Sequence, residues 1–190
     1  LEEFMNVNQT VRIIPTLKVN NRKINEEFYV KTLGMKPLLE ESAFLSLGDQ
    51  TGLEKLVLEE SPSMRTRKVQ GIKKLAKLVV KVVNSLEIEA LLARMESLPQ
   101  LFKGPNGYAF EIISPQGDLI LMHAEEDVND LNQVNEEVVF SDDEGFDYLT
   151  EFEISTEIHL PELTLSLVEN QDNKNLLIFK QVQGEDLLVE

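Results

Sequence analysis

Short runs of alternating hydrophobic and polar residues follow one another along most of the chain. The first run covers residues 11–19 and is followed by a helical pattern, in which Asn20 and Asn21 offer the N-cap and Gly34 the C-terminal stop. Alternation with period two is typical of half-buried strands. Three more such runs follow, at 36–41, 43–48 and 54–60. This part of the chain is therefore predicted to fold in the order β-α-β-β-β.

The same order recurs after a polar and basic connector at 61–71. A strand pattern covers 76–83, Ser85 offers an N-cap, and a helical stripe of apolar residues ends near Pro99. The apolar stripe consists of Ile88, Leu91, Leu92 and Met95. Strand patterns at 100–103, 108–113 and 118–124 complete the second unit. An internal repeat of about 60 residues predicts two tandem modules, at about 10–62 and 72–124, within one domain covering residues 1–124.

The last two strands of the second module form a predicted hairpin over 107–123. Its turn is Ser114-Pro115-Gln116-Gly117, in which Pro presets φ and Gly supplies a positive φ. The flanking runs are short, β-branched and aromatic, which is typical of paired strands.

The remainder of the chain has a different composition. Residues 125–148 are acidic and poor in apolar residues, so a linker or long loop is predicted. Strand patterns at 152–160, 163–169, 176–181 and 186–189 predict a partial third module without its helix, over residues 149–190. Either this module is degenerate or residues are missing near 160–163. The predicted class is α+β.

Composition excludes several kinds of chemistry. The chain has 190 residues, no cysteine, two histidines and a net charge of −16. Thiol catalysis and thiolate metal sites are excluded, and a nucleic-acid partner is not expected of so acidic a protein. No apolar run approaches the roughly 20 residues that span a bilayer. The N-terminal residues lack the pattern of a secretory signal, so a cytoplasmic location is expected.

Two motifs resemble the vicinal-oxygen-chelate superfamily of glyoxalase and bleomycin-resistance proteins. One is LKVNNRKINEEFYVKTLGM at 17–35, and the other is the hairpin with S-P-Q-G-D-L-I at 114–120. The resemblance implies two βαβββ modules that form a curved, cup-like mixed sheet, with the helices on its convex face. It also implies a metal held by His or Glu from the first and last strands of each module.

The positions that match those ligands do not carry metal-binding side chains. They are Ile14, Val57, Lys77 and Leu121, three aliphatic residues and one cation, which offer no ligand set for a divalent ion. No metal or other cofactor is predicted, and metal-dependent glyoxalase or dioxygenase activity is not expected.

The whole chain, including the acidic stretch and the FEISTEIHLP segment at 152–161, is similar to the CppA family. That resemblance implies a proteinase that degrades a host complement protein, and hence a surface or secreted location. The residues carry no H-E-x-x-H, G-x-S-x-G or paired D-[ST]-G motif. His123 and His159 have no nucleophile motif nearby. Whether the chain is an enzyme stays open at this point.

The alternation also predicts which residues share the cup with the former metal positions. The charged members are mostly cations: Arg12, Lys18, Lys55, Lys77, Lys81 and His123. One hypothesis is a non-catalytic protein that binds a small anion or a protein partner in this cup. The alternative is that the lysines extend from a solvated sheet face. A further hypothesis is a homodimer formed through unpaired strand edges.

Overall fold

The first module has the predicted order of elements, but its first strand begins at Thr16. Of the strand predicted at 11–19, residues 14–15 are not in the strand and residues 11–13 lie outside the described part of the chain. The structure is a computed structural model and describes residues 14–60, 75–142, 145–161 and 177–182. The elements of this module are β1 (Thr16–Val19), α1 (Arg22–Glu27), β2 (Lys36–Glu41), β3 (Phe44–Gly48) and β4 (Glu54–Glu60). The strands form a sheet in the order β1-β4-β3-β2. β1 runs parallel to β4, and the other pairs are antiparallel.

The second module repeats this arrangement. Its elements are β5 (Leu75–Val82), α2 (Ser85–Ala93), β6 (Gln100–Gly104), β7 (Gly107–Ile113) and β8 (Leu119–His123). The strand order is β5-β8-β7-β6, and β5 runs parallel to β8 as β1 does to β4. The repeat in the sequence is therefore a repeat in the fold, and the α+β class with two βαβββ modules is confirmed.

The C-terminal part of the chain extends the sheet of the second module. β10 (Phe152–Pro161) pairs antiparallel with β5, and β11 (Leu177–Val182) pairs parallel with β10. At the other edge, the two-residue strand β9 (Asn132–Gln133) pairs with β6. The strands thus divide into a four-stranded and a seven-stranded mixed sheet. The predicted strands at 163–169 and 186–189 lie outside the described residues.

The apolar core lies on the helix side of both sheets. Alternate residues of the central strands are fully buried there: Leu56, Leu58, Leu78, Val80, Val82, Ile120 and Met122. The stripe of α2 packs in the same core through Ile88, Leu91 and Leu92. Within the described residues, no helix has the length and apolarity needed to cross a membrane.

Both helices begin at an asparagine. The side-chain oxygen of Asn21 accepts from the Ile24 N–H, and that of Asn84 accepts from the Leu86 N–H. The prediction of Ser85 as the second N-cap is thus wrong by one residue. In the first helix Ile24 is 52% exposed and Asn25 is buried, so the helix does not bury its first apolar residue. A π-helical turn at Phe28–Thr32 follows α1, and the residue it adds changes the phase of the buried face.

The acidic segment at 125–148 contacts the core. It contains a 3₁₀ turn at Val128–Asp130 and β9, and otherwise has no regular structure in its described part. Its few apolar residues pack against the core cluster: Val134, Val138, Phe140 and Phe146. The low apolar content of this segment thus reflects one-sided packing against the second module.

Candidate functional site

The candidate site is the sheet face that points away from the helices, which we call the cup face. Register and alternation assign its residues. On the second sheet they are Lys77, Val79 and Lys81 of β5, Glu111 and Ile113 of β7, Leu119, Leu121 and His123 of β8, and Glu153, Ser155 and Glu157 of β10. On the first sheet they include Lys55, Val57 and Glu59 of β4.

The four former metal positions occupy corresponding places in the two modules. Ile14 lies two residues before Thr16, which pairs with Val57 across β1 and β4. In the second module Lys77 lies two residues before Val79, which pairs with Leu121 across β5 and β8. The resemblance is therefore consistent with the strand geometry, but the side chains do not fit a metal, because three of them are hydrocarbon. Among the described residues no group of three His, Cys, Asp or Glu side chains could hold a metal ion.

Lys77 lies between two carboxylates. Its ammonium group forms an ion pair with Glu111 of β7, and both side chains are about four-fifths buried. On the opposite side, Glu157 of β10 stands directly across from Lys77 in the strand register and is buried. Directly opposed residues have Cβ atoms about 5 Å apart. The one cation at a former metal position is therefore neutralised within the protein.

Lys81 lies four residues further along β5, on the same face, and has a similar environment. Its ammonium nitrogen lies 2.8 Å from a carboxylate oxygen of Glu126, and Glu153 of β10 stands across from it in the register. The hydrogen bond and the charge of Lys81 lower the pKa of the exposed Glu126 carboxyl. Both lysines of β5 thus face a glutamate on β10 and pair with a second carboxylate.

His123 lies beside Lys81 on the neighbouring parallel strand. The imidazole is buried, and its Nδ1 accepts from the Glu125 N–H at 3.1 Å. Burial lowers the pKa of His123 below its usual value, and the positive charge of Lys81 lowers it further. A neutral ring can accept this hydrogen bond, whereas an imidazolium cannot. The arrangement therefore favours a neutral histidine that holds the end of β8.

Two of the remaining predicted cations, Lys55 and Lys18, lie in the first sheet. Lys55 is in the first sheet, with its ammonium 3.6 Å from the fully buried carboxylate of Asp49. Lys18 is exposed on β1 and aligned with Glu59 in the register. Arg12 lies outside the described residues. The structure therefore brings three of the six predicted site residues together.

A family model described as CppA N-terminal matches residues 12–134. The chain belongs to the CppA family. The crystal structure of the CppA protein from Streptococcus pneumoniae TIGR4 is 62% identical, with a TM-score of 0.85 over 97% of this chain and 77% of that one.

Structures of glyoxalase-type proteins are also similar to this CppA-family chain. A lactoylglutathione lyase from Agrobacterium tumefaciens is 17% identical, with a TM-score of 0.42 over 58% of this chain and 91% of the other. A protein described as a possible glyoxalase from Bacillus cereus is 19% identical, with a TM-score of 0.39 over 58% and 96%. The two βαβββ modules are the arrangement that the sequence resemblance to the vicinal-oxygen-chelate superfamily implies. None of the curated proteins matches the chain.

Sequence reasoning missed the carboxylates at the cup face of the second sheet. They are Glu111, Glu126, Glu153 and Glu157. Glu111 could have been found from the alternation within β7, which places it on the same face as Ile113. Glu153 and Glu157 could not, because nothing in the sequence indicates that β10 pairs with β5. With these residues included, the cup face of the second sheet carries more carboxylates than ammonium groups.

A polar cavity of about 570 Å³ adjoins this face at the carboxyl ends of β5 and β8. Its lining includes Lys81, Asn84, Ser85, Asn106, Glu126, Glu151 and Glu153. Ser85 is the first residue of α2 and lies so close to Gly107 that a Cβ there would contact the serine side chain. The cavity is large enough for a small ligand or a few side chains of a partner.

Proposed function

We propose that the chain is a non-catalytic binding protein whose partner is a host complement protein, acting at the cell surface or outside the cell. Support for the partner comes from membership of the CppA family and from the role that this resemblance implies. Support for binding comes from the cup face, where ion pairs and aliphatic side chains occupy the places that would otherwise hold a metal.

The ion pair between Lys77 and Glu111 is the observation that carries this proposal. A carboxylate bound to a lysine ammonium is not available to a divalent cation, and the other three former metal positions supply no ligand atom. The chemistry of the glyoxalase-type proteins therefore has no basis in these residues. The cup face instead carries lysines flanked by glutamates. A surface with charges of both signs is suited to binding a protein partner.

Proteolysis of the same partner is the second candidate, and it follows from the family resemblance. A serine-type site would need one of the two histidines, which stand on different strands and cannot act together. His159 lies six residues beyond Glu153 on β10, and Glu153 is aligned with Lys81 and through it with His123. Six residues of extended strand correspond to roughly 20 Å. In addition, His123 uses Nδ1 to accept a backbone N–H, which leaves that nitrogen unavailable for an orienting acid.

The balance of charge suggests the chemistry of the partner surface. Glu126 and Glu153 are exposed carboxylates at the mouth of the polar cavity, and the chain carries a net charge of −16. Such a field attracts basic groups and repels acidic ones. We therefore expect the partner to present lysine or arginine side chains to this region, and a small anion is the weaker alternative.

The test is to measure binding and cleavage of purified complement component three by the whole protein. A Glu126→Gln/Glu153→Gln double variant is compared with a Glu136→Gln/Glu137→Gln control. The control changes the net charge equally, but at two positions of the acidic segment at 125–148. We expect the first variant to weaken binding several-fold, mainly through the association rate and more strongly at low salt, and the control to bind as the parent does. Absence of binding by the parent protein would exclude the proposal.

Cleavage is followed in the same samples. Intact complement protein in the presence of binding supports the non-catalytic interpretation. Cleavage that persists through a second, orthogonal purification and is lost on a point substitution in this chain would establish the proteinase instead.

A further inference from the structure

We propose that residues 148–152 form a clasp that locks the two modules together, and that the N-terminal domain is complete only when this segment is in place. Both modules contribute to one apolar core, but their sheets share no strand pairing within the described residues. The clasp supplies the directional bonds between them.

One side of the clasp binds the first module. The Leu149 N–H donates to the Gly34 carbonyl at 2.8 Å, and the Gln50 N–H donates to the Leu149 carbonyl at 3.0 Å. The Gln50 side-chain amide also donates to the Tyr148 carbonyl at 2.7 Å. The Phe152 N–H donates to a carboxylate oxygen of Asp49 at 3.2 Å. These bonds attach the clasp to the end of the first helical segment and to the turn after β3.

The other side of the clasp binds the second module. The Thr150 N–H and hydroxyl both donate to the Glu87 carboxylate of α2, at 3.1 and 2.5 Å. The Val83 N–H, just after β5, donates to the Glu151 carbonyl at 3.2 Å. Tyr148, Leu149 and Phe152 thus bind the first module. Thr150 and Glu151 bind the second.

Burial makes these bonds hard to replace. Asp49 is fully buried and Glu87 is 5% exposed, while Leu149 and Phe152 are fully buried in the core. If the clasp withdrew, two buried carboxylates would lose N–H donors and two large apolar side chains would enter water. We therefore expect the clasp to be occupied in the folded protein.

The boundary of the N-terminal domain follows from the clasp. The CppA N-terminal family model ends at residue 134, which is 14 residues before Tyr148. Asp49 and Glu87 lie inside the matched range, and their clasp partners lie outside it. The structural domain therefore extends at least to Phe152.

Hydrogen exchange on the full chain tests the clasp. The variants are Glu87→Gln and the milder Thr150→Val, and the control is Glu89→Gln, the same substitution two residues along α2. With the clasp weakened, we expect the amides of Gln50, Val83 and Phe152 to exchange about tenfold faster or more, while those of β3 and β4 keep the rate of the parent protein.

Two results would overturn the proposal. Unchanged exchange at Gln50 and Val83 in both variants would show that the segment holds nothing together. Equal acceleration in β3, β4 and the clasp would show that the segment is an ordinary part of a single cooperative core.

Discussion

The two motifs that carry the sequence resemblance meet at Tyr29. The Tyr29 side chain is fully buried, and its hydroxyl lies close to Ser114 and Asp118. Burial raises the pKa of its hydroxyl, and the charge of Asp118 adds to the effect. The Phe-Tyr element of the first module therefore packs on the Ser-Pro-Gln-Gly-Asp turn of the second. The motif at 17–35 forms the first helix, and the motif at 114–120 forms the turn of the second hairpin. Through Tyr29 the two motifs also make a contact between the modules.

His123 should make stability depend on pH. Its folded-state pKa is lowered by burial and by Lys81 from the usual 6.5. As pH falls through 6.5, the unfolded chain takes up a proton that the folded chain does not, so stability is lost between that pH and the lower folded-state pKa. We expect the free energy of unfolding, measured in urea from about pH 8 to about pH 5, to fall less in His123→Gln than in the parent protein.

Glutamine is chosen because its side-chain oxygen can still accept the Glu125 N–H. His159→Gln serves as the control for a general loss of imidazole. Parallel pH profiles for the parent protein and His123→Gln would show that this histidine does not titrate on unfolding.

At the scale of elements, the sequence predicted local structure well and long-range pairing poorly. The predicted bounds of β2 and β4 match the structure. Those of β3, β6 and β7 differ by one residue at one end, and those of β5 and β8 by one residue at both ends. These strands follow from alternation and turn residues, which are properties of neighbouring positions. The pairing of β10 with β5, by contrast, is decided by which edge is open after both modules have folded. The burial of Glu87 could not be predicted either, since its partner Thr150 lies 63 residues away.

The turn after β3 places a strict demand on Gly48. A Cβ at this position would overlap the backbone carbonyl of Leu53, which the hairpin holds in place. We expect Gly48→Ala to lower the free energy of unfolding by about 1–3 kcal/mol, because the backbone must shift to relieve the overlap. Urea unfolding measures the change.

Gly104→Ala is the matched comparison. There the new Cβ would meet the buried Glu125 side chain, whose carboxylate accepts the Asn106 N–H. A smaller loss is expected, because a side chain and one hydrogen bond must adjust rather than the backbone of a hairpin. Equal losses in the two variants would contradict the role assigned to the Leu53 carbonyl.

At the scale of the molecule, the strand that follows the two modules reverses the charge of the predicted cup. The modules alone place Lys77 and Lys81 on the same face of β5, which led to the hypothesis of an anion site. β10 then sets Glu157 and Glu153 opposite these lysines, while Glu111 and Glu126 pair with them directly. An approaching anion would meet an acidic protein and two lysines that already have partners.

This reversal predicts that anion binding is suppressed and can be restored. We expect no measurable binding of inorganic pyrophosphate to the parent protein by calorimetry. The Glu111→Gln/Glu126→Gln variant removes the direct ion-pair partner of each lysine and should bind pyrophosphate in a salt-dependent manner. The Glu136→Gln/Glu137→Gln variant has the same net charge but leaves the lysines paired, so it should not bind. Pyrophosphate binding by the parent protein at physiological salt would show instead that the paired lysines remain available, as the hypothesis of an anion-binding cup requires.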